Sequence, residues 1–593
     1  MTRNYIDTAS DIGPNHSPNP NHLSYGDLNT DTVIIGNGPA ALFLSFLLHG
    51  NVPYYDPVTH GPHPDPVLHR KLLEIPSGSL YEFLQSPEDV SYLTEHFPAS
   101  QLSYSTQAQR INVLLDTLLR PNADLDIDRC KPRIRWVKDD SKRVAHLVIG
   151  SAPKAGGQWS ENPIATSLDI GTLSYADMLS LPGYTFFDHY HKLYEDDMPV
   201  FTRPTRRDVS SYYAQYPKET GMLSSIGLGR HVYQVERTGD FGFLVRVLNS
   251  SEDVSQLQTP MSYAIRCKHV VLASGIFTRQ LSPPPPLQQI PEYVASAADN
   301  SNSNIPMLVV GSGFTAADVL LSAHPNQEII HIFKWNCTGS SLLKGCHPSA
   351  YPEYAMIYRM MKLAANNSTT INPIVSEQPL YEGFPNAEVI SITPHPSTPD
   401  SFEVTFKLPE CSTPVTRQVG HLAYFVGRRG DLSYLSPQIQ AELGISHMAG
   451  CISGDTLRAR VAANAEVTKG IFAIGSLTGD SLVKFGFGSG TYAAGRILYK
   501  ISQMSAIDGV PEIEVPDCGT SDFVDTPFSL PSLASSSGSG ASGITDGEVK
   551  FSSAKKGCIE RDRKMSTCST HSVALNLSFS SAYRTSKDTC IIS

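Results

Sequence analysis

The chain has 593 residues, 40% of them hydrophobic and 17% charged, with a formal net charge of −11. That length supports a large core and roughly two or three folded units, and the acidic balance excludes the basic footprint that nucleic-acid binding needs. The polar opening MTRNYIDTASDIGPNHSPNPN has no apolar segment for secretion, no run approaches the ~20 apolar residues of a membrane span, and the ten cysteines include no CxxC. Scattered cysteines fit free thiols in a reducing compartment and weigh against a dithiol–disulfide centre.

In chain order, residues 1–30 read as a disordered arm. A βα unit opens at Asp31, in VIIGNGPAA. There Gly36 permits a tight turn, Gly38 lets the backbone approach a pyrophosphate, and Ala40 or Ala41 allows close helix–strand packing. The second strand of this unit is expected to end near Tyr54–Asp56, which places Asp56 where an acid commonly binds a ribose hydroxyl. Residues 57–143 read as an insertion, helical in INVLLDTLLR. A short apolar strand, Val144–Gly150, then leads into the glycine turn GSAPKAGGQW. Its Gly156, Gly157 and Trp159 are candidate contacts for a flavin edge, where backbone without side-chain bulk is required. A helix is expected over Arg207–Lys218, with Asp208 as a first-turn anion. Strand-like HVYQVE, FLVRVL and HVVLASG follow, the last ending at Gly275 beside the cofactor. Together these make residues 31–303 the first part of an FAD-binding domain.

The run Pro283–Pro286 and the Asn/Ser stretch to Asn304 read as a crossover linker. A second unit follows in MLVVGSGFTAAD, where Gly311, Gly313 and Ala316 repeat the first geometry. Its second strand, EIIHIFKW, ends at Lys334 instead of an acid. A cation there pairs with the 2′-phosphate of NADPH, which an acid would repel. Residues 304–450 are accordingly assigned to an NADPH-binding domain, closed by FEVTFKL and HLAYFVG. Residues 451–504 return to the FAD domain. In GIFAIGSLTGD, Gly475 and a displaced acid, Asp480, are the candidates for the ribityl chain, and the small-residue helix GSGTYAAGRILYKI follows. The Ser/Thr/Gly-rich stretch 505–593 reads as a disordered tail. The expected fold class is therefore α/β, with two dinucleotide-binding (Rossmann-like) domains, the NADPH domain inserted in the FAD domain. No metal cluster is read, and no pairing of His, Asp or Cys has enough context to name a catalytic acid or base.

The chain ends Cys590-Ile591-Ile592-Ser593, the C-a-a-X pattern of farnesylation at Cys590. Lys555, Lys556, Arg561, Arg563 and Lys564, or acylation of Cys568, supply the second signal that stable attachment needs. The expectation is a cytoplasmic protein held peripherally at a membrane face by a lipid.

The two glycine turns, GGQW, RRDVSSYYAQYPKETGM and HVVLASG resemble flavin-containing monooxygenases. HPDPVLHRKLLE, LLDTLLRPNADLD, YPEYAMIYRMM, YEGFP, GRRGDLSYL and IGSLTGDSLVKFGFGSG resemble, more specifically, the oxidative stress-induced growth inhibitor family. The resemblance covers about residues 31–502. It implies an FAD- and NADPH-dependent monooxygenase fold linked to stress and growth control. NADPH would reduce the flavin, and molecular oxygen would then give a flavin hydroperoxide that hydroxylates a small molecule. Two other readings stay open: an NADPH oxidase or redox sensor that releases hydrogen peroxide, and a non-catalytic regulator that retains the fold.

Overall fold

The computed structural model describes residues 28–507, apart from 76, 122–130, 162–167, 240–241, 250–261, 294–304, 337–340, 367–380, 410–412 and 462–464. The arm up to residue 27, the second half of the expected linker, and the tail with Cys568 and Cys590 lie outside the described residues.

Strand β1, Thr32–Ile35, is buried at every position, the pattern of an interior parallel strand. Helix α1, Pro39–Leu48, follows the first glycine turn with proline in its first turn, where a missing N–H costs nothing. It is buried from Ala41 to Leu48, so it is an inner helix. Strand β2, Asn51–Tyr55, does not join β1 as the sequence suggested. It pairs antiparallel with β3, Ile134–Lys138, in a separate two-stranded ribbon running from Asn51↔Lys138 to Tyr55↔Ile134. Between them, helix α2, Arg110–Leu119, packs Val113, Leu114, Leu115 and Leu118 into the core around α1.

The place beside β1 is taken by β4, His146–Ile149, parallel and in register from Thr32↔His146 to Ile35↔Ile149. The competition is intelligible. Pro53 in the middle of β2 has no N–H for a ladder, which suits an edge, whereas HLVI in β4 is buried at all four positions. Helix α3, Arg206–Glu219, starts with a capping box in which Thr205 and Asp208 satisfy each other's backbone N–H. It buries Tyr212, Tyr213 and Tyr216 completely. Strand β5, Ile226–Gly227, leads into an antiparallel meander of Arg230–Arg237, Phe243–Asn249 and Ser262–Cys267, and the chain returns through β6, His269–Leu272.

A second parallel sheet then forms. Its central strand β7, Met307–Val310, is followed by α4, Phe314–Ser322, and β8, Ile329–Phe333. Helix α5, Pro352–Asn366, precedes β9, Tyr381–Pro385. A three-stranded antiparallel sheet, Glu388–Pro394, Phe402–Lys407 and Val415–Val419, leads to β10, His421–Tyr424. The strand order is β9-β8-β7-β10, parallel throughout. After β11, Arg428–Asp431, the chain rejoins the first sheet through Glu466–Thr468 and β12, Ile471–Ala473, and ends its described part with α6, Phe487–Ile507. The first sheet thus runs Glu466–Thr468, β12, β6, β1, β4, β5. The chain is a mixed α/β protein in which one parallel sheet is inserted between two adjacent strands of another.

Candidate functional site

The two glycine turns are built alike. After β1, the Gly36 N–H donates to the Ile149 carbonyl of β4 (2.8 Å), and Ala273, just past β6, donates its N–H to Ile35 (2.9 Å). Gly36 has φ +117°, and a Cβ there would sit 2.4 Å from the Ala273 carbonyl oxygen. After β7, the Gly311 N–H donates to Ile332 (3.0 Å), and Phe425, just past β10, donates to Val310 (2.7 Å). Gly311 has φ +149°, and a Cβ there would sit 2.4 Å from the Phe425 carbonyl oxygen. In both turns the first glycine is therefore fixed by backbone conformation and by the neighbouring strand.

The second glycines differ in kind. Gly38 has φ −78° and Gly313 φ −102°, which any residue adopts. An added Cβ would meet no protein atom within 4 Å at either position. Neither α1 nor α4 has a side-chain cap or an acid in its first turn, in contrast to the capped α3. The positive dipole ends of both helices thus carry no acidic counter-charge in their first turns. Ala316 is buried in contact distance of the Gly311 turn, 3.3 Å from the added Cβ.

The first turn opens into a cleft of about 1560 Å³. Gly36, Gly38, Ala40, Gly156, Gly157, Trp159, Gly275, Gly475 and Asp480 all line it. The GGQW turn rests directly on the first turn: Gly156 donates its N–H to the Asn37 carbonyl (2.8 Å), and a Cβ on Gly157 would lie 3.0 Å from Gly38 Cα. Both glycines have positive φ, +116° and +56°. Trp159 packs its half-buried ring 6.5 Å from that of Tyr213. Gly475, at φ +65°, leaves room for Ala40, whose Cβ would be 2.7 Å from an added methyl. Gly275, at φ +75°, faces Ser476, whose Oγ accepts the Ile276 N–H (3.2 Å).

Asn37 was not singled out from sequence, although it stands between the two glycines. It is buried, and its Nδ2 donates to the carbonyls of Ala152 (3.0 Å) and Lys154 (3.2 Å). That pins the loop leading to GGQW against the first turn.

Of the two candidate acids, one lies outside the cleft and the other lines it with its carboxylate already engaged. Asp56 lies on the β2–β3 ribbon and is absent from the cleft wall. Its carboxylate caps a short helix by accepting the Thr59 N–H (2.9 Å) and pairs with Arg135 Nε (3.0 Å). The Thr59 N–H, foremost, holds its pKa below the ordinary value. Beside β1 the strand end is instead Gly150–Ser151, and Gly150 is needed there because Asn37 Cγ would lie 2.3 Å from a Cβ. Asp480 does line the cleft, but its carboxylate is committed. One oxygen accepts from Gln109 N (2.8 Å) and Asn112 Nδ2 (2.7 Å), the other from Arg458 Nη1 (2.9 Å), and the side chain is 3% exposed. It ties the start of α2 to the closing segment, and the polar group directly after Gly475 is Ser476.

In the second module Lys334 is exposed and directly follows β8, which does lie beside the central strand. Gly311, Gly313, Ala316 and Lys334 lie apart from the first cleft. Burial pushes the thiols of Cys267 and Cys346 up, the latter to about 11. Among the described residues no cluster of three His, Cys, Asp or Glu could hold a metal ion, and no helix is long and apolar enough to cross a membrane.

No family model matches the chain. It is 29% identical over 495 residues to oxidative stress-induced growth inhibitor 1 of Mus musculus, covering 79% of this chain and 95% of that protein. It is 26% identical over 498 residues to oxidative stress-induced growth inhibitor 2 of Homo sapiens, covering 76% and 90%. Among solved structures, bacillithiol disulfide reductase Bdr from Bacillus cereus aligns with TM-score 0.44 at 13% identity over 80% of this chain and 99% of that one. A flavin-containing monooxygenase from Stenotrophomonas maltophilia aligns with TM-score 0.41 at 12% identity over 80% and 99%. By sequence, the chain is similar to the oxidative stress-induced growth inhibitors across most of its length.

Proposed function

We propose that the chain is an NADPH-dependent flavin oxidoreductase of the monooxygenase type, with FAD in the first cleft and NADPH on the second glycine turn. The observation that carries this is the duplicated turn. Each has one glycine demanded by the backbone and a second whose Cβ position no protein atom approaches, set at an uncapped helix N-terminus. A dinucleotide pyrophosphate fits that space: it brings two negative charges to helix N-termini that carry no side-chain cap and needs the clearance a side chain would remove. When bound, the flavin supplies two-electron transfer from NADPH and the reduction of molecular oxygen.

The chain's own residues bind and orient. Gly38 and the start of α1 hold the FAD pyrophosphate, the Gly156–Trp159 turn presents backbone to the ring edge, and Gly275, Gly475 and Ser476 wall the ribityl region. Gly313 and the start of α4 hold the second pyrophosphate, and Lys334 pairs with the 2′-phosphate. Cys267 and Cys346 are buried and their thiols resist ionisation, so neither is placed to act as a redox thiol. The relatives' names support a role in oxidative stress and growth control. We further propose that Cys590 is farnesylated and holds the protein at the cytoplasmic face of a membrane.

The test is the absorption spectrum of the purified protein before and after anaerobic NADPH. A flavin spectrum bleached by NADPH supports the reading, and a protein that carries no flavin sinks it. In air, the ratio of peroxide to hydroxylated product separates an oxidase from a monooxygenase. Bound flavin that NADPH never reduces would point to a non-catalytic regulator.

A further inference from the structure

In a dinucleotide fold, an acid at the end of the strand beside the first one accepts from a ribose hydroxyl. Here that strand is β4, and the stretch that follows it, Gly150 to Lys154, contains no acid. Gly150 leaves no room for one, because Asn37 fills the space a side chain would need. The acids in the cleft wall, Glu161, Asp431 and Asp480, come from other segments, and Asp480 is already engaged. What stands beside this strand end is Arg230, the first residue of the meander. Its N–H donates to the Gly150 carbonyl (2.9 Å), and the Gly229 N–H donates to Ala152 (3.0 Å), so its backbone is locked against the end of β4. Arg230 pairs with Asn249, two residues along from the pair Val232↔Val247, so these side chains share one face of the meander. Val232 and Val247 share a core with Val33, Ile35, Leu147 and Ile149 of the first sheet, which turns Arg230 toward that sheet's end. Its stem lies over Gly227, where an added Cβ would be 3.4 Å from Arg230 Cγ. Arg230 lines the cleft, and its Nε is shut off from solvent and meets no acceptor among the described residues.

A guanidinium carries donors only. It takes the lone pairs of ribose oxygens where an acid would take their hydrogens, and a buried N–H is costly until some acceptor arrives. The larger difference is electrostatic. A carboxylate repels a phosphate carried on the ribose, whereas arginine attracts it and offers a planar fork that matches its oxygens. We propose that Arg230, with Ser151 beside it, forms an adenosine subsite at the end of β4, and that this subsite prefers a ribose carrying a phosphate group. Such a subsite presupposes a dinucleotide in the first cleft and adds the chemistry of its adenosine end. FAD, whose ribose is bare, is then held mainly through its pyrophosphate and ring, and phosphorylated adenosine nucleotides compete with it for the cleft.

The test uses the full-length protein stripped of flavin. FAD rebinding is followed by fluorescence against two competitors, adenosine 2′,5′-bisphosphate and AMP. The bisphosphate should block rebinding at a concentration roughly tenfold lower than AMP, and Arg230→Gln should abolish that difference. Equal competition by the two in the unaltered protein, or an unchanged difference in the folded variant, would overturn the subsite. Should Arg230→Gln not fold, Ser151→Asp carries the test. Ser151 is exposed, and an acid restored at the strand end should erase the difference, so an unchanged difference overturns the subsite. FAD that rebinds with no such preference leaves the flavin reading standing and removes the subsite. A protein that takes up no FAD but binds the bisphosphate in calorimetry, and loses that binding in Arg230→Gln, keeps the subsite and loses the proposed function.

Discussion

Replacing Gly38 and Gly36 by alanine, one at a time, separates what the fold needs from what a ligand needs. At Gly38 the backbone is extended, φ −78° and ψ 177°, and the new methyl meets no protein atom within 4 Å. Stability should be unchanged or rise by up to about 1 kcal/mol, since alanine restricts the unfolded chain. On the reading proposed above, the methyl fills the space through which a pyrophosphate oxygen reaches the start of α1. Each charge-assisted hydrogen bond displaced is worth about 1.5–3 kcal/mol, so FAD affinity should fall roughly ten- to a hundredfold per bond. At Gly36 the order reverses. The methyl would sit 2.4 Å from the Ala273 carbonyl on a backbone at φ +117°. A strained φ alone costs on the order of 1–3 kcal/mol, before the clash is counted. Flavin content and the melt of the flavin-stripped protein, measured for both variants, decide the matter. Gly38→Ala that keeps wild-type flavin affinity, or that melts early like Gly36→Ala, would refute the reasoning.

Gly313→Ala, equally free of protein contacts, should retain FAD and its melt but weaken NADPH binding by a similar factor in a fluorescence titration. Lys334→Glu replaces attraction to a 2′-phosphate by repulsion at an exposed strand end, so the NADPH-over-NADH preference in flavin reduction should fall several-fold, and an unchanged ratio removes Lys334 from the site. His49, His63, His146 and His331 are held by burial at about 4, 4, 3 and 4, below the unfolded value of 6.5. The unfolded chain therefore binds more protons in between, and stability that is full above pH 6.5 is lost as the pH falls through that window. At pH 5.5 the loss is about 1.4 kcal/mol for each histidine, and Asp318, pushed up to about 6, offsets less than one of them. Urea midpoints that coincide at pH 7.5 and 5.5 would contradict this. Cys590→Ser should release the protein from membrane fractions while NADPH oxidation continues, and an unmodified C-terminal peptide in the mass spectrum of the cellular protein would exclude the anchor.

The parts of the site that were legible in the sequence are those decided by neighbours along the chain. A glycine two residues before another, after four buried β-formers and before a helix, is a local arrangement, and both turns have it. The capping box at the start of α3 is local as well, since Thr205 and Asp208 are three residues apart. Asp56 was misplaced because counting from Gly36 presumes that the next strand joins the same sheet. Strand pairing is a long-range choice, settled here by Pro53 and by the better-buried HLVI of β4. Asp480 was found in the cleft wall, but its commitment was hidden because its partners Gln109 and Asn112 are 371 and 368 residues away in the chain. The contact of Arg428 with Gln158 was equally invisible, because the two lie 270 residues apart in the chain.

The chain leaves the first sheet after β6 and rejoins it through Glu466–Thr468 and β12, and β6 and β12 are direct neighbours, paired from Val270↔Ile471 to Leu272↔Ala473. The host sheet therefore takes no strand from the guest sheet. Insertions, deletions or exchange of the guest sheet leave the ladder of the host intact, so the two halves can evolve at different rates. On the reading proposed above, a lineage could alter which nucleotide the guest accepts and still inherit the glycine turn that opens into the first cleft.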